Sequence, residues 1–137
     1  MHEDTAAFKI YMADASLLSA RSQLDIAIAT DIVYRKQLDL GGLVENYVAQ
    51  SLASCNTPLR YWTSGNAAEV DFIIQTHNAI AGMPIEVKSS DNTQSRSLSV
   101  YQGKYHPSEA IRLSTKNFGR DNHIRSVPLY AAFCIGQ

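Results

Sequence analysis

Two alternating segments constrain this chain more than any other feature in it. AEVDFIIQ (68–75) sets Val70, Phe72 and Ile74 on one side and Glu69, Asp71 and Ile73 on the other. MPIEVKSS (83–90) repeats the pattern, with Met83, Ile85 and Val87 opposed to Pro84, Glu86 and Lys88. THNAIAG turns the chain between them, so the pair is predicted to form an antiparallel hairpin. Its apolar side must be covered by something else, which calls for helices packed on a sheet.

The surrounding sequence supplies those elements. GGLVENYVAQSLAS spaces Leu43, Val44, Tyr47, Val48 and Leu52 for one apolar face of a helix over about 42–54. LRYWTS (59–64) reads as a short aromatic strand, and SRSLSVYQGKYH (95–106) as a helix that packs Leu98, Tyr101 and Tyr105 and ends at Pro107. SEAIRLS (108–114) reads as a strand, NFGRDNH as a loop, and VPLYAAFCIG as a strand turning into a helix or one buried element. Upstream, AFKIYM (7–12) reads as a strand and Asp14 as the N-cap of a short helix, ASLLSAR. Residues 22–40 read as helix or irregular structure. The predicted fold class is α/β, a central mixed sheet flanked by helices, in the order helix–strand–strand–strand–helix–strand from Gly41. Residues 1–40 form an N-terminal strand and helix extension of the same domain, and 41–137 its core.

Composition removes several function classes. At 137 residues the chain fits one domain of the usual roughly 100–200 residues. A net charge of -1 excludes a histone-like polycation, and 45% hydrophobic residues argue against disorder. No apolar run approaches the roughly 18 residues of a membrane span, and the acidic start MHEDTAAFKIYMAD is unlike a signal peptide. Cys55 and Cys134 fit no zinc spacing, so reduced thiols in a cytoplasmic protein are expected. Charge is distributed unevenly: residues 88–137 hold seven bases against three acids, whereas 40–87 hold only Arg60 against four acids. Arg96, Lys104, Arg112, Lys116, Arg120 and Arg125 are therefore phosphate-contact candidates.

The polar face of the hairpin carries the chemistry. Alternation brings Asp71, Glu86 and Lys88 to one side, and Glu45 borders the apolar face of the preceding helix. Mg²⁺ takes oxygen ligands, usually one or two carboxylates plus water and substrate phosphate. A lysine beside it can orient a water or neutralise developing charge. The same charges would equally serve as a solvated strand face with an ordinary Glu–Lys pair. The four histidines are scattered singly and read as loop or surface residues. Tyr61 and Trp62 could stack a base, although aromatic residues on a strand usually belong to a core.

An acidic helix residue, then Asp, then Glu-x-Lys about a dozen residues on, within this element order, resembles the PD-(D/E)XK restriction-endonuclease-like superfamily. KIYMADASLLSA, GGLVENYVAQSL, LRYWTSGNAAEVDFII, MPIEVKSS, AIRLS and VPLYAAF, in that order, resemble the uncharacterised C-terminal domain of prokaryotic AAA-type P-loop ATPases. That resemblance implies a restriction-endonuclease-like core in which Asp71 and Glu86 hold Mg²⁺ or Mn²⁺, Lys88 positions water, and Glu45 is the helical acid. It implies a metal-dependent nuclease-type domain acting on DNA or another nucleic acid, with an ATPase domain as partner in full-length relatives. The chain has no G-x-x-x-x-G-K-[ST], so no ATP site is carried over; it reads as the C-terminal portion of such an ATPase. The alternative is a catalytically inactive module that couples an ATPase to a partner or to a second copy of itself.

Overall fold

In a computed structural model of the chain, residues 6–23, 40–65, 67–75, 80–89 and 95–135 are described. The reading of 22–40 lies largely outside them, as does most of the turn between the two hairpin strands. The elements are α1 (Ala15–Arg21), α2 (Gly41–Ser54), β1 (Trp62–Thr63), β2 (Glu69–Val70), β3 (Phe72–Ile74), β4 (Met83–Val87), α3 (Arg96–Tyr105), β5 (Ala110–Ser114), β6 (Gly119–Asp121) and β7 (Ile124–Pro128). A 3₁₀ turn, Leu129–Cys134, follows β7.

Five strands form one mixed sheet in the order β3-β4-β5-β7-β6. The predicted hairpin is present: β3 and β4 are antiparallel with Phe72 opposite Ile85 and Ile74 opposite Met83. β4 and β5 run parallel, as do β5 and β7, and β6 returns antiparallel on the outer edge. A parallel β4–β5 pair needs a crossover, and α3 lies within it. The fold is thus mixed α/β, with helices against a mixed sheet.

Two apolar cores sandwich the sheet. Val48, Ala49 and Leu52 of α2 meet Phe72, Ile85, Ile111, Leu113 and Val127, together with Ala131 and Ala132 of the 3₁₀ turn. On the other side, Leu98 and Tyr101 of α3 meet Trp62, Val70, Ile73, Ala110 and Ile124. Trp62 stands edge-on to Tyr101 and Tyr105, at 5.2 and 5.9 Å between centroids, and donates its indole N–H to the Tyr105 hydroxyl. These aromatic side chains belong to the core, as their spacing suggested.

Several expectations are corrected. The 68–75 segment is not one strand: it breaks at Asp71, and β2 pairs with β1 in a separate two-stranded sheet. AFKIYM forms no strand among the described residues; its anchor is the buried Asn46, whose side chain accepts from the Met12 N–H at 2.8 Å and donates to the Met12 carbonyl at 3.1 Å. That bond turns Asn46 inward and leaves Tyr47, predicted to be buried, on the exposed side of α2. NFGRDNH is not a loop alone. It holds β6 and a two-residue turn, Asn122–His123, with both φ positive (46° and 62°), the geometry of tight hairpins. Asp14 does cap α1, accepting from the Ser16 N–H at 2.7 Å.

Candidate functional site

The break at Asp71 is what builds the site. With the chain changing sheets there, Asp71 Oδ2 accepts the Val87 N–H at 2.7 Å instead of pointing to solvent. Continuing the β3–β4 register by one step sets Asp71 across from Glu86. Burial pushes the Asp71 carboxyl from its ordinary 3.8 up to about 6. The Val87 N–H and Lys9 oppose this shift, while the negative charges of Glu45 and Glu86 add to it. The charges of Glu45, on α2, and Glu86, on β4, thus both act on Asp71 at the strand break.

Glu86 is the most constrained of the three. It is only 4% exposed, on the α3 side of β4, because its strand neighbours Ile85 and Val87 are committed to the other core. Its Oε1 pairs with Lys88 Nζ at 2.9 Å, while Oε2 is fully buried and has no hydrogen-bond partner among the described residues. Leaving a buried carboxylate oxygen unsatisfied is costly, so it marks a place where a ligand or a proton is expected. The β4–β5 register puts Arg112 beside Glu86, yet the Arg112 Nε donates to Ser95 Oγ at 2.8 Å.

Glu45 is placed by α2 and held from the N-terminal segment. Its Oε1 accepts from Tyr11 Oη at 2.6 Å and from Lys9 Nζ at 2.9 Å, and Lys9 also pairs with Glu69. Burial lowers the Lys9 ammonium's affinity for its proton, but the bonds to Glu69 and Glu45 outweigh that and raise it. Burial and then the Glu45 carboxylate hold the Tyr11 phenol far above its ordinary range. Lys9 and Tyr11 were not among the sequence-derived site residues. No motif marks them, and nothing in the reading of 7–12 as a strand pointed to a contact with Glu45.

The four sequence-derived residues thus fall into two linked groups, Asp71 with Glu86 and Lys88, and Glu45 with Lys9 and Tyr11. Two carboxylates and water are a donor set that suits Mg²⁺ or Mn²⁺, and the orphaned Glu86 oxygen fits that use. Among the described residues, no group of three or more His, Cys, Asp or Glu side chains converges to hold a metal ion. Of the basic candidates, Arg120 and Arg125 are tied to Glu109 on the far edge of the sheet. Cys55 and Cys134 are free thiols. No helix among the described residues is long and apolar enough to cross a membrane.

A groove of about 860 Å³ opens onto Asp71, between the N-terminal segment, the β1 strand and the end of α3. By its elements this is a mixed α/β domain with a five-stranded mixed sheet and helices against it. The chain belongs to the family described as a domain of unknown function (DUF4143), which matches residues 40–132 and is known from AAA-ATPase-associated proteins. Comparison with curated proteins and with solved structures found no match.

Proposed function

We propose that this is a metal-dependent, nuclease-type domain with a restriction-endonuclease-like core that hydrolyses nucleic-acid phosphodiesters. The observation that carries the reading is Glu86: a buried carboxylate with one oxygen on Lys88 and the other without a partner among the described residues, next to the half-buried Asp71. Asp71 and Glu86 would hold Mg²⁺ or Mn²⁺. The ion, when bound, supplies a nucleophilic hydroxide at neutral pH and offsets charge on the leaving oxygen. Lys88 orients water and neutralises charge beside it. Glu45, fixed by Tyr11 and Lys9, sets the negative field that Asp71 feels.

Calorimetry with Mn²⁺, followed by incubation with DNA and RNA substrates, tests the reading. Wild type should bind the ion and cleave only in its presence. Glu86→Gln should lose both, and Lys88→Ala should lose cleavage while keeping most of the metal affinity, since an ammonium is not a ligand. Wild type without metal binding, or cleavage that persists in Glu86→Gln, overturns it. One observation favours the second reading, an inactive module that joins an ATPase to a partner or a second copy. Tyr130 and Phe133 are exposed three residues apart on the 3₁₀ turn, hence on one face, and Phe118 stands edge-on to Tyr130.

A further inference from the structure

We propose that the groove opening onto Asp71 binds an unpaired nucleic-acid strand, with bases on its aromatic walls and phosphates at Arg60 and Lys104. The inference deepens the hydrolytic reading by naming its substrate class, and its use in cleavage rests on that reading. Binding itself does not.

The groove differs from the rest of the surface in two ways. Asp71 is the only acid along its walls among the described residues, against Lys9, Arg60 and Lys104. Lys9 is already neutralised by Glu45 and Glu69, whereas Arg60 and Lys104 are exposed and form no ion pair among the described residues. An anion entering the groove that Asp71 lines therefore meets Arg60 and also Lys104, whose ammonium rests over the Trp62 and Tyr105 rings rather than on a carboxylate. The second difference is flat apolar surface. Phe8 is 73% exposed on the groove wall, and the half-buried rings of Tyr61 and Tyr105 line it further along. Lys9 sits 5.2 Å from the centre of the Tyr61 ring, and Lys104 sits 5.2 Å from that of Tyr105. Charge and ring are thus paired twice along the groove.

A ligand that uses both features must carry anionic groups and flat rings in alternation. An unpaired strand does so, and each base stacked on an aromatic residue contributes about 1–3 kcal/mol with little sequence preference. A duplex keeps its bases stacked inside and can offer the groove only phosphates. The basic residues of the C-terminal third do not take this role as a set: Arg120 and Arg125 are spent on Glu109, and only Lys104 of the six lines the groove.

Trp62 lines the groove and is the chain's single tryptophan, so its fluorescence reports on this place alone. The test titrates the protein, in EDTA at low salt, with an oligo(dT) of about 12 nucleotides, within the usual single-strand site size. Matched duplex and an abasic oligomer of the same length are the comparisons. Trp62 emission should change on binding oligo(dT), with duplex and abasic strand each at least about tenfold weaker. Two to three phosphate contacts at ~0.7 each predict a log–log salt slope between about -1.4 and -2.1. Arg60→Ala/Lys104→Ala and Phe8→Ala should each weaken binding about three- to tenfold, with circular dichroism unchanged. Duplex or abasic strand binding as tightly as oligo(dT), or full affinity in the Arg60→Ala/Lys104→Ala variant, overturns the proposal. Strand binding in EDTA without cleavage in Mn²⁺ leaves the groove standing and removes the hydrolytic reading. Cleavage that is indifferent to the groove variants does the reverse.

Discussion

Asp71 shows how one residue can be costly to the fold and useful to a site. A carboxyl whose proton affinity is higher folded than unfolded stabilises the protein when protonated and destabilises it when charged. Here the folded value is about 6 against 3.8, so stability is lost as pH rises between them and the full cost is present above about 6. The gap corresponds to about 3 kcal/mol at most. Asp71→Asn removes the charge and keeps an acceptor for the Val87 N–H. We expect the variant to be more stable than wild type by about 1–3 kcal/mol at pH 8, and to lose that advantage at pH 4. Urea denaturation at both pH values checks this, and a difference that does not vary with pH would mean Asp71 is not buried as described. On the proposed metal-binding reading, the same proton competes with the cation, so Mn²⁺ affinity should fall as the pH drops below about 6.

Elements differ in how much of them the sequence announces. The β3–β4 hairpin was legible because its apolar residues alternate, and α3 because Leu98 and Tyr101 recur at helical spacing. The split at Asp71 was not, since Val70, Asp71 and Phe72 alternate straight through it; which sheet each residue joins is decided by partners distant in sequence. β6 left no hydrophobic signal because all three of its residues are exposed. The N-terminal segment looked like a strand because alternating apolar residues resemble one, yet side-chain bonds hold it in place. Two predictions follow from these elements. Asn46→Ala strands the Met12 N–H and carbonyl, and should cost about 1–3 kcal/mol while exposing residues 6–14 to proteolysis. An unchanged cleavage pattern would show that Lys9 and Tyr11 suffice to hold the segment. In the β6–β7 turn, His123 has φ of 62°, which a side chain tolerates poorly. His123→Gly should raise stability by about 0.5–1 kcal/mol, read as a higher Tm; a lower Tm would show that its side chain matters more than its backbone.

At the scale of the molecule, the sheet is shared by two cores, and β3 is buried on both faces because it serves each in turn. Phe72 enters the core under α2, where the Tyr11 ring lies 5.7 Å away, while the next residue, Ile73, enters the core under α3. Such a strand cannot shift for one core without disturbing the other. The site sits at its N-terminal end, so the carboxylates inherit their placement from both cores at once. Phe72→Ala should therefore cost about 3–4 kcal/mol, a large part of the 5–15 kcal/mol a domain possesses. The loss should appear equally in both halves. Trp62 fluorescence reads the α3 core, which lacks Phe72, and far-UV circular dichroism reads the whole chain. In urea the two signals should share one midpoint in wild type, and both midpoints should fall together in Phe72→Ala. A Trp62 transition that stays at the wild-type midpoint while the dichroism shifts would mean that the cores unfold separately, and that β3 does not couple them.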